Sequence, residues 1–201
     1  MRAVERLAAH SGEYPTELLL RLALDERPIA DLRVRVASVA ALAKRHDARV
    51  SGPLASLMVP HNALRLRQSV ASALQNTSCS PECVGWLLEY LYRIRAGDGN
   101  SEDFYQFTPP SKNFGAEEQE ISKKLEEVLI REKPETLRVL REVYGFESDT
   151  PSPFAIHMLG QLQFNEACKS LTRIHIDALR DSATRTELEA TIQLLGCPVR
   201  A

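Results

Sequence analysis

Leu32-Arg33-Val34-Arg35-Val36-Ala37-Ser38-Val39-Ala40-Ala41-Leu42 returns thirty-two residues later as Leu64-Arg65-Leu66-Arg67-Gln68-Ser69-Val70-Ala71-Ser72-Ala73-Leu74. Each copy follows a short apolar run. Self-similarity at that period marks stacked helical hairpins, units that bury their apolar faces only against one another. The repeat predicts an all-α fold of stacked helical hairpins, a solenoid or a right-handed helical bundle, with about eight to nine helices and no sheet. Scaffolds of this kind offer a surface to another macromolecule rather than a pocket to a substrate.

Reading outward, Pro15 suits a first turn, and Leu18, Leu19, Leu20, Leu22 and Leu24 make 15–24 apolar on most sides, as in a helix held between neighbours. Asp25-Glu26-Arg27-Pro28 breaks it, and the first copy of the repeat lies in a helix over 30–46. The second lies in 62–76. Ser80-Pro81-Glu82 caps a helix over 81–94, the most hydrophobic of the chain, expected at the centre of the core. Periodicity vanishes between Arg95 and Ala116, where Gly97-Asp98-Gly99 and Pro109-Pro110 read as a loop or linker. Ile121, Leu125, Val128 and Leu129 then draw a narrow stripe on a charged helix over 116–131, which belongs at an edge. Leu137, Leu140, Val143 and Tyr144 face the core from 134–144, and further helices follow near 153–163, 164–181 and 184–195. The expected organisation is a first part over 1–94, an aromatic-containing connector over 95–115, and C-terminal helices over 116–201 packed on the first part.

The composition, 44% apolar and 26% charged, is that of a globular chain. The formal charge of −2 hides an imbalance of +4 over residues 1–95 and −6 over 96–201. No window approaches the roughly 18 uninterrupted apolar residues of a membrane span. Glu5, Glu13 and Glu17 spoil a transit peptide, so a cytoplasmic or nuclear location is expected by default. Cys79, Cys83, Cys168 and Cys197 lack the rhythm of a secreted disulfide framework, which agrees with a reducing compartment.

The unit from Pro53 to Asn76 resembles a HEAT repeat, in which a proline near the first helix is followed after a turn by a Val-Arg pair opening the second. Leu66-Arg67 stands at that pair, and the preceding unit has it literally as Val34-Arg35. The turn aspartate is missing from both units, and the loop from Leu24 to Leu32 is longer than the pattern prefers. The resemblance covers about residues 15–94, with Armadillo-type hairpins as the alternative. It implies an adaptor, regulatory subunit, transport factor or assembly scaffold.

Arg33, Arg35, Arg65 and Arg67 occupy the same two offsets in successive units. A row of guanidinium groups along stacked units suits an acidic peptide or a phosphate backbone. The structural reading is that they bond carboxylates or helix-end carbonyls of the adjacent unit. Residues two apart on a helix point about 200° apart, so only one of each pair lines a common face. Phe104, Tyr105 and Phe107, with Phe114, crowd the connector; they dock on the helical body or form a short motif for a partner. Cys79-Ser80-Pro81-Glu82-Cys83 lacks a closing ligand pair at any zinc-finger spacing and reads as a turn cysteine and a core cysteine. His157 and His175 read as partly buried side chains, while His10, His46 and His61 sit at helix ends or turns. No nucleophile motif or P-loop is present, so no catalytic residue, metal or cofactor is expected.

The expectation is a non-catalytic protein-interaction scaffold or adaptor within an intracellular multi-subunit complex, binding another protein or peptide through the repeat surface. Nucleic acid, RNA in particular, bound by the basic half is the alternative, although the pI of about 6.2 is far from that of a dedicated binder. A homodimer through the C-terminal helices is a further arrangement the pattern allows.

Overall fold

The computed structural model describes residues 2–10, 12–25, 27, 31–96, 115–148, 151–174, 179 and 182–198. Every regular element among them is helical: α1 (Arg2–Ala9), α2 (Glu13–Ala23), α3 (Leu32–Ala43), α4 (Ser51–Ala55), α5 (Leu64–Gln75), α6 (Pro81–Ala96), α7 (Ala116–Arg131), α8 (Lys133–Glu142), α9 (Pro153–Gln161), α10 (Cys168–Leu171) and α11 (Ser182–Leu195). Short 3-10 turns lead into α4 and α10. The expected all-α class is observed. The described residues hold eleven helices, slightly more than the eight or nine expected. Of the helix expected over 164–181, the described residues show α10, entered through the turn Asn165–Ala167 and left at Thr172, while 175–178, 180 and 181 lie outside them.

The chain divides into two compact units, α1 to α7 and α8 to α11. The division falls between Glu132 and Lys133, so α7 belongs with the N-terminal helices.

In the first unit, the Asp31 carboxylate accepts the Arg33 amide at 2.8 Å and so starts α3. The repeat reappears as a burial phase. Ser38, Val39, Ala41 and Leu42 are buried in α3, and Val70, Ala71, Ala73 and Leu74, each thirty-two residues on, are buried in α5. Small alanines on these faces let the two helices pack closely. A leucine removed from water in this way is worth about 1.5–3 kcal/mol.

Polar bonds fix the helix directions. Arg35, early in α3, reaches the Ala23 carbonyl at the end of α2, and Arg45, just after α3, reaches Thr16 near the start of α2, so the pair is antiparallel. Nδ1 of His46 lies 2.8 Å from the Asn76 carbonyl, which brings the carboxyl ends of α3 and α5 together. Between α5 and α7 the bonds run in register: Arg67 to Glu118, Lys124 to Ser72, Gln75 to Glu127, and Arg131 to Leu74 and Thr77. Helices α5 and α7 are therefore parallel. The Tyr90 hydroxyl meets Glu118 at the start of α7, while the Cys79 amide meets Glu132 at its end, so α6 runs against α7.

Helix α6 carries the centre of this core, as expected: Cys83, Val84, Leu87, Leu88, Tyr90 and Leu91 are fully buried. In α7 only Ile121, Leu125, Val128 and Leu129 are buried. Glu117, Glu120, Lys123 and Glu127 face water, the profile of an outer helix.

The second unit is built on α9. Ser152 caps it with Pro153 at its first position, and Phe154, Ala155, Ile156, Met158, Leu159 and Gly160 are all buried. Helix α11 crosses at Gly160, where an added Cβ would lie 3.1 Å from Thr191 Oγ1. Thr191 donates to the Ile156 carbonyl at 3.2 Å. Val143, expected in the core, is 70% exposed. Helix α8 stops at Glu142, and Gly145 at φ +61° reverses the chain, so Val139, Leu140 and Phe146 fill the interior instead.

The cysteine reading is corrected. Cys79 is bonded to Cys83 and Cys168 to Cys197, so neither Cys79 nor Cys83 is a free thiol, and cysteine usage no longer argues for a reducing compartment.

Candidate interaction site on the first unit

The four repeat arginines separate into two kinds, and helical geometry decides which is which. Arg33 and Arg65 stand second in α3 and α5, both exposed, at equivalent places on adjoining helices. Two residues on, about 200° of rotation turns Arg35 and Arg67 inward. Arg35 Nε donates to the Ala23 carbonyl at 3.0 Å. Arg67 Nε donates to the Asn62 carbonyl at 3.1 Å, and its Nη1 bonds the Tyr90 hydroxyl at 2.6 Å and the Glu118 carboxylate. Its guanidinium also lies over the Tyr90 ring, 5.9 Å from the centroid. As surface contacts for a partner, Arg35 and Arg67 are therefore corrected: both hold helix ends.

The Arg67–Glu118–Tyr90 cluster is nearly dry, with the two charged side chains 11% and 12% exposed. Burial pushes the Tyr90 hydroxyl well above its ordinary pKa, and its bond to Glu118 acts in the same direction. It stays a proton donor. The opposed charges and the hydroxyl satisfy one another, which accounts for their tolerance inside the fold.

Two further arginines do similar work and escaped the sequence reading. Arg45 donates to the Leu7 and His10 carbonyls at 2.8 and 2.6 Å and to Gly12 and Thr16 at 3.2 and 2.8 Å. It closes the end of α1 onto the start of α2. Arg131 donates to the carbonyls of Leu74 at 3.1 Å and Thr77 at 2.7 Å, and to that of Gln75, so it caps α5. Each sits in or just past a last helical turn, and that placement is the only trace either leaves in the sequence.

Beside Arg131 opens a polar cleft of about 390 Å³ lined by Gln75, Asn76, Glu127 and Val128. Its guanidinium is spent on carbonyls and on Glu132, and Gln75 is spent on Glu127, so the lining holds itself together. In the second unit His157 is partly buried as expected, with Nδ1 2.9 Å from Glu187. His175, Gly97 to Gly99, and Phe104, Tyr105, Phe107 and Phe114 lie outside the described residues. Ser152 uses its hydroxyl to cap α9.

Among the described residues no three His, Cys, Asp or Glu side chains gather to hold a metal, and no helix is long and apolar enough to cross a membrane. Exposed Tyr14, Ile130, Val143 and Leu194 are scattered singly along the sequence. No protein-family model, no curated protein and no solved structure matches the chain.

Proposed function

We propose that the first unit is a HEAT-like stack of three hairpins, α2 with α3, α4 with α5 and α6 with α7. It serves as a non-catalytic interaction module of a larger intracellular assembly. The occupant is an acidic segment of a partner protein laid across Arg33 and Arg65. One observation carries this reading: these two guanidinium groups stand exposed at equivalent places on adjoining helices, while Arg35, Arg45, Arg67 and Arg131 are spent on the fold. Packed helices lie about 8–10 Å apart. A chain in the polyproline II conformation has three residues per turn and rises about 3.1 Å per residue, so carboxylates three residues apart share one face about 9 Å apart and match that spacing.

Nucleic acid is the second reading, favoured by the charge of the N-terminal half. Arg33 and Arg65 alone would release about two counterions, which for a single strand predicts only about a sevenfold loss of affinity between 50 and 200 mM salt.

The test is fluorescence anisotropy of the full chain with an extended peptide bearing glutamates three residues apart, beside a single-stranded RNA. Peptide binding that falls at least tenfold in Arg33→Glu/Arg65→Glu, with helical content intact, is expected. RNA binding with a slope demanding five or more phosphates, beside peptide binding indifferent to that variant, would overturn the proposal.

A further inference from the structure

The Cys79–Cys83 bond spans only Ser80, Pro81 and Glu82 and sits on the first turn of α6. A cross-link so short removes little freedom from the unfolded chain, since that contribution grows with the logarithm of the loop closed. The Cys168–Cys197 bond, with a separation of 29, is the one placed to hold a fold.

The turn carrying Cys79 and Cys83 is held independently of its sulfurs. Ser80 donates its amide to Ser51 Oγ at 2.9 Å, its own Oγ accepts the Cys83 amide at 3.2 Å, and its carbonyl accepts the Val84 amide at 3.0 Å. The Glu82 carboxylate lies over Gly52, whose missing side chain leaves it room: a Cβ there would be 2.8 Å from Glu82 Oε2. With the S–S bond cut, these contacts keep the two sulfurs beside one another, ready to re-form it.

The two sulfurs also differ. Cys83 is fully buried and Cys79 is 9% exposed, so an incoming thiolate meets Cys79. Cys83 is the third residue of α6, where the helix dipole favours a thiolate and makes it the better leaving group.

Cys79 in turn touches the row of parallel helices. Its amide donates to Glu132 Oε1 at 3.2 Å, Glu132 accepts Arg131 Nε at 3.1 Å, and Arg131 caps α5. The segment that carries the sulfur thus ends on the clamp that ties α5 to α7.

We propose that Cys79–Cys83 is a reversible redox-modification site that takes dithiol reductants. A thiolate of the reductant attacks Cys79 Sγ, the S–S bond breaks, and the electron pair leaves on Cys83 Sγ. The second thiolate of the reductant then attacks the mixed disulfide and releases Cys79. Two electrons pass to the chain, both cysteines become thiols after protonation, and the reductant departs as its own disulfide. The bonds of Ser80 and the place of Glu82 beside Gly52 hold the turn in the reduced state, so the pair closes again when an oxidised dithiol is supplied.

The experiment equilibrates the full native chain with graded ratios of reduced to oxidised dithiothreitol, traps thiols with iodoacetamide, and reads each pair by peptide mass spectrometry beside amide exchange. The expected result is that Cys79–Cys83 opens and re-forms while Cys168–Cys197 and the helical circular dichroism persist. Exchange at the Ser80, Cys83 and Val84 amides stays within about threefold in the reduced form, since their bonds do not depend on the sulfurs. Reduction of Cys79–Cys83 only together with loss of helical signal would overturn the proposal. So would exchange at those amides rising to the rate of the unfolded chain, or failure of the pair to re-form when oxidised dithiothreitol is restored.

Discussion

Removing Glu118 is the sharpest probe of how the first unit is held. Arg67 is 11% exposed and already bonds Asn62 and Tyr90, so it cannot swing into water when its carboxylate goes. Breaking one side of a buried pair strands the other charge, at a cost of about 3–5 kcal/mol. Tyr90→Phe removes a neutral hydroxyl and leaves the ion pair, for about 1 kcal/mol. Replacing both charges by Arg67→Met/Glu118→Leu avoids the stranded charge, so the double variant is expected to cost less than the two single changes added together, by about 2 kcal/mol or more. The assay is urea unfolding followed by fluorescence of Trp86, the single tryptophan, which lies on α6 four residues before Tyr90. At a slope of about 2 kcal/mol per molar urea, Glu118→Ala should move the midpoint down by about 2 M. A loss under about 1 kcal/mol for Glu118→Ala, or strict additivity in the double variant, would show that the cluster is wetter than its burial implies, and the reasoning would fail.

In the second unit, Gly160→Val sets branched carbons against Thr191 Oγ1, already 3.1 Å from the position of a Cβ, and is expected to cost about 1–3 kcal/mol in chemical denaturation. Thr191→Ala in the same chain should recover part of that loss, because it removes the atoms struck. Glu147 is held below its ordinary pKa of 4.5, first by the Ser170 hydroxyl and also by Arg141. A depressed carboxylate contributes stability above its unfolded pKa and loses it as pH falls through the folded value. Thermal melts should therefore show Glu147→Gln less stable than the parent at pH 7 and equal to it once both carboxyl states are protonated.

Much of the first unit was legible because apolar phase is written in residue types. The thirty-two-residue repeat became the matching buried sets of α3 and α5, the stripe Ile121, Leu125, Val128 and Leu129 became the buried face of α7, and the helix from Pro81 became the core. Other features depend on partners that no residue type announces. The targets of Arg45 and Arg131 are backbone carbonyls, which every residue carries. The chain turns at Gln163, φ +54°, without the glycine that would have signalled the end of a helix. Cysteine spacing does not reveal which sulfurs meet, and so both disulfides were missed. The place of α7 was hidden as well. Its stripe shows that it packs, but its bonds to α5 identify the helix it packs against.

The division of the repeat arginines changes how variants of this surface must be read. Reversing all four charges together would remove the Arg35 bond to the end of α2 and put a carboxylate in place of Arg67 beside Glu118, so lost binding would report a damaged fold. Arg33 and Arg65 stand clear of those clamps, and their reversal tests recognition alone. The same sorting bears on the positive balance of the N-terminal half. Arg21, Arg27, Arg49 and Arg93 lie against Glu17, Asp25, Asp47 and Glu89. Arg35, Arg45 and Arg67 are bound to the backbone or to Glu118. A formal surplus of four charges therefore offers a phosphate chain few cations that are not already held, and of the four repeat arginines only Arg33 and Arg65 stand exposed.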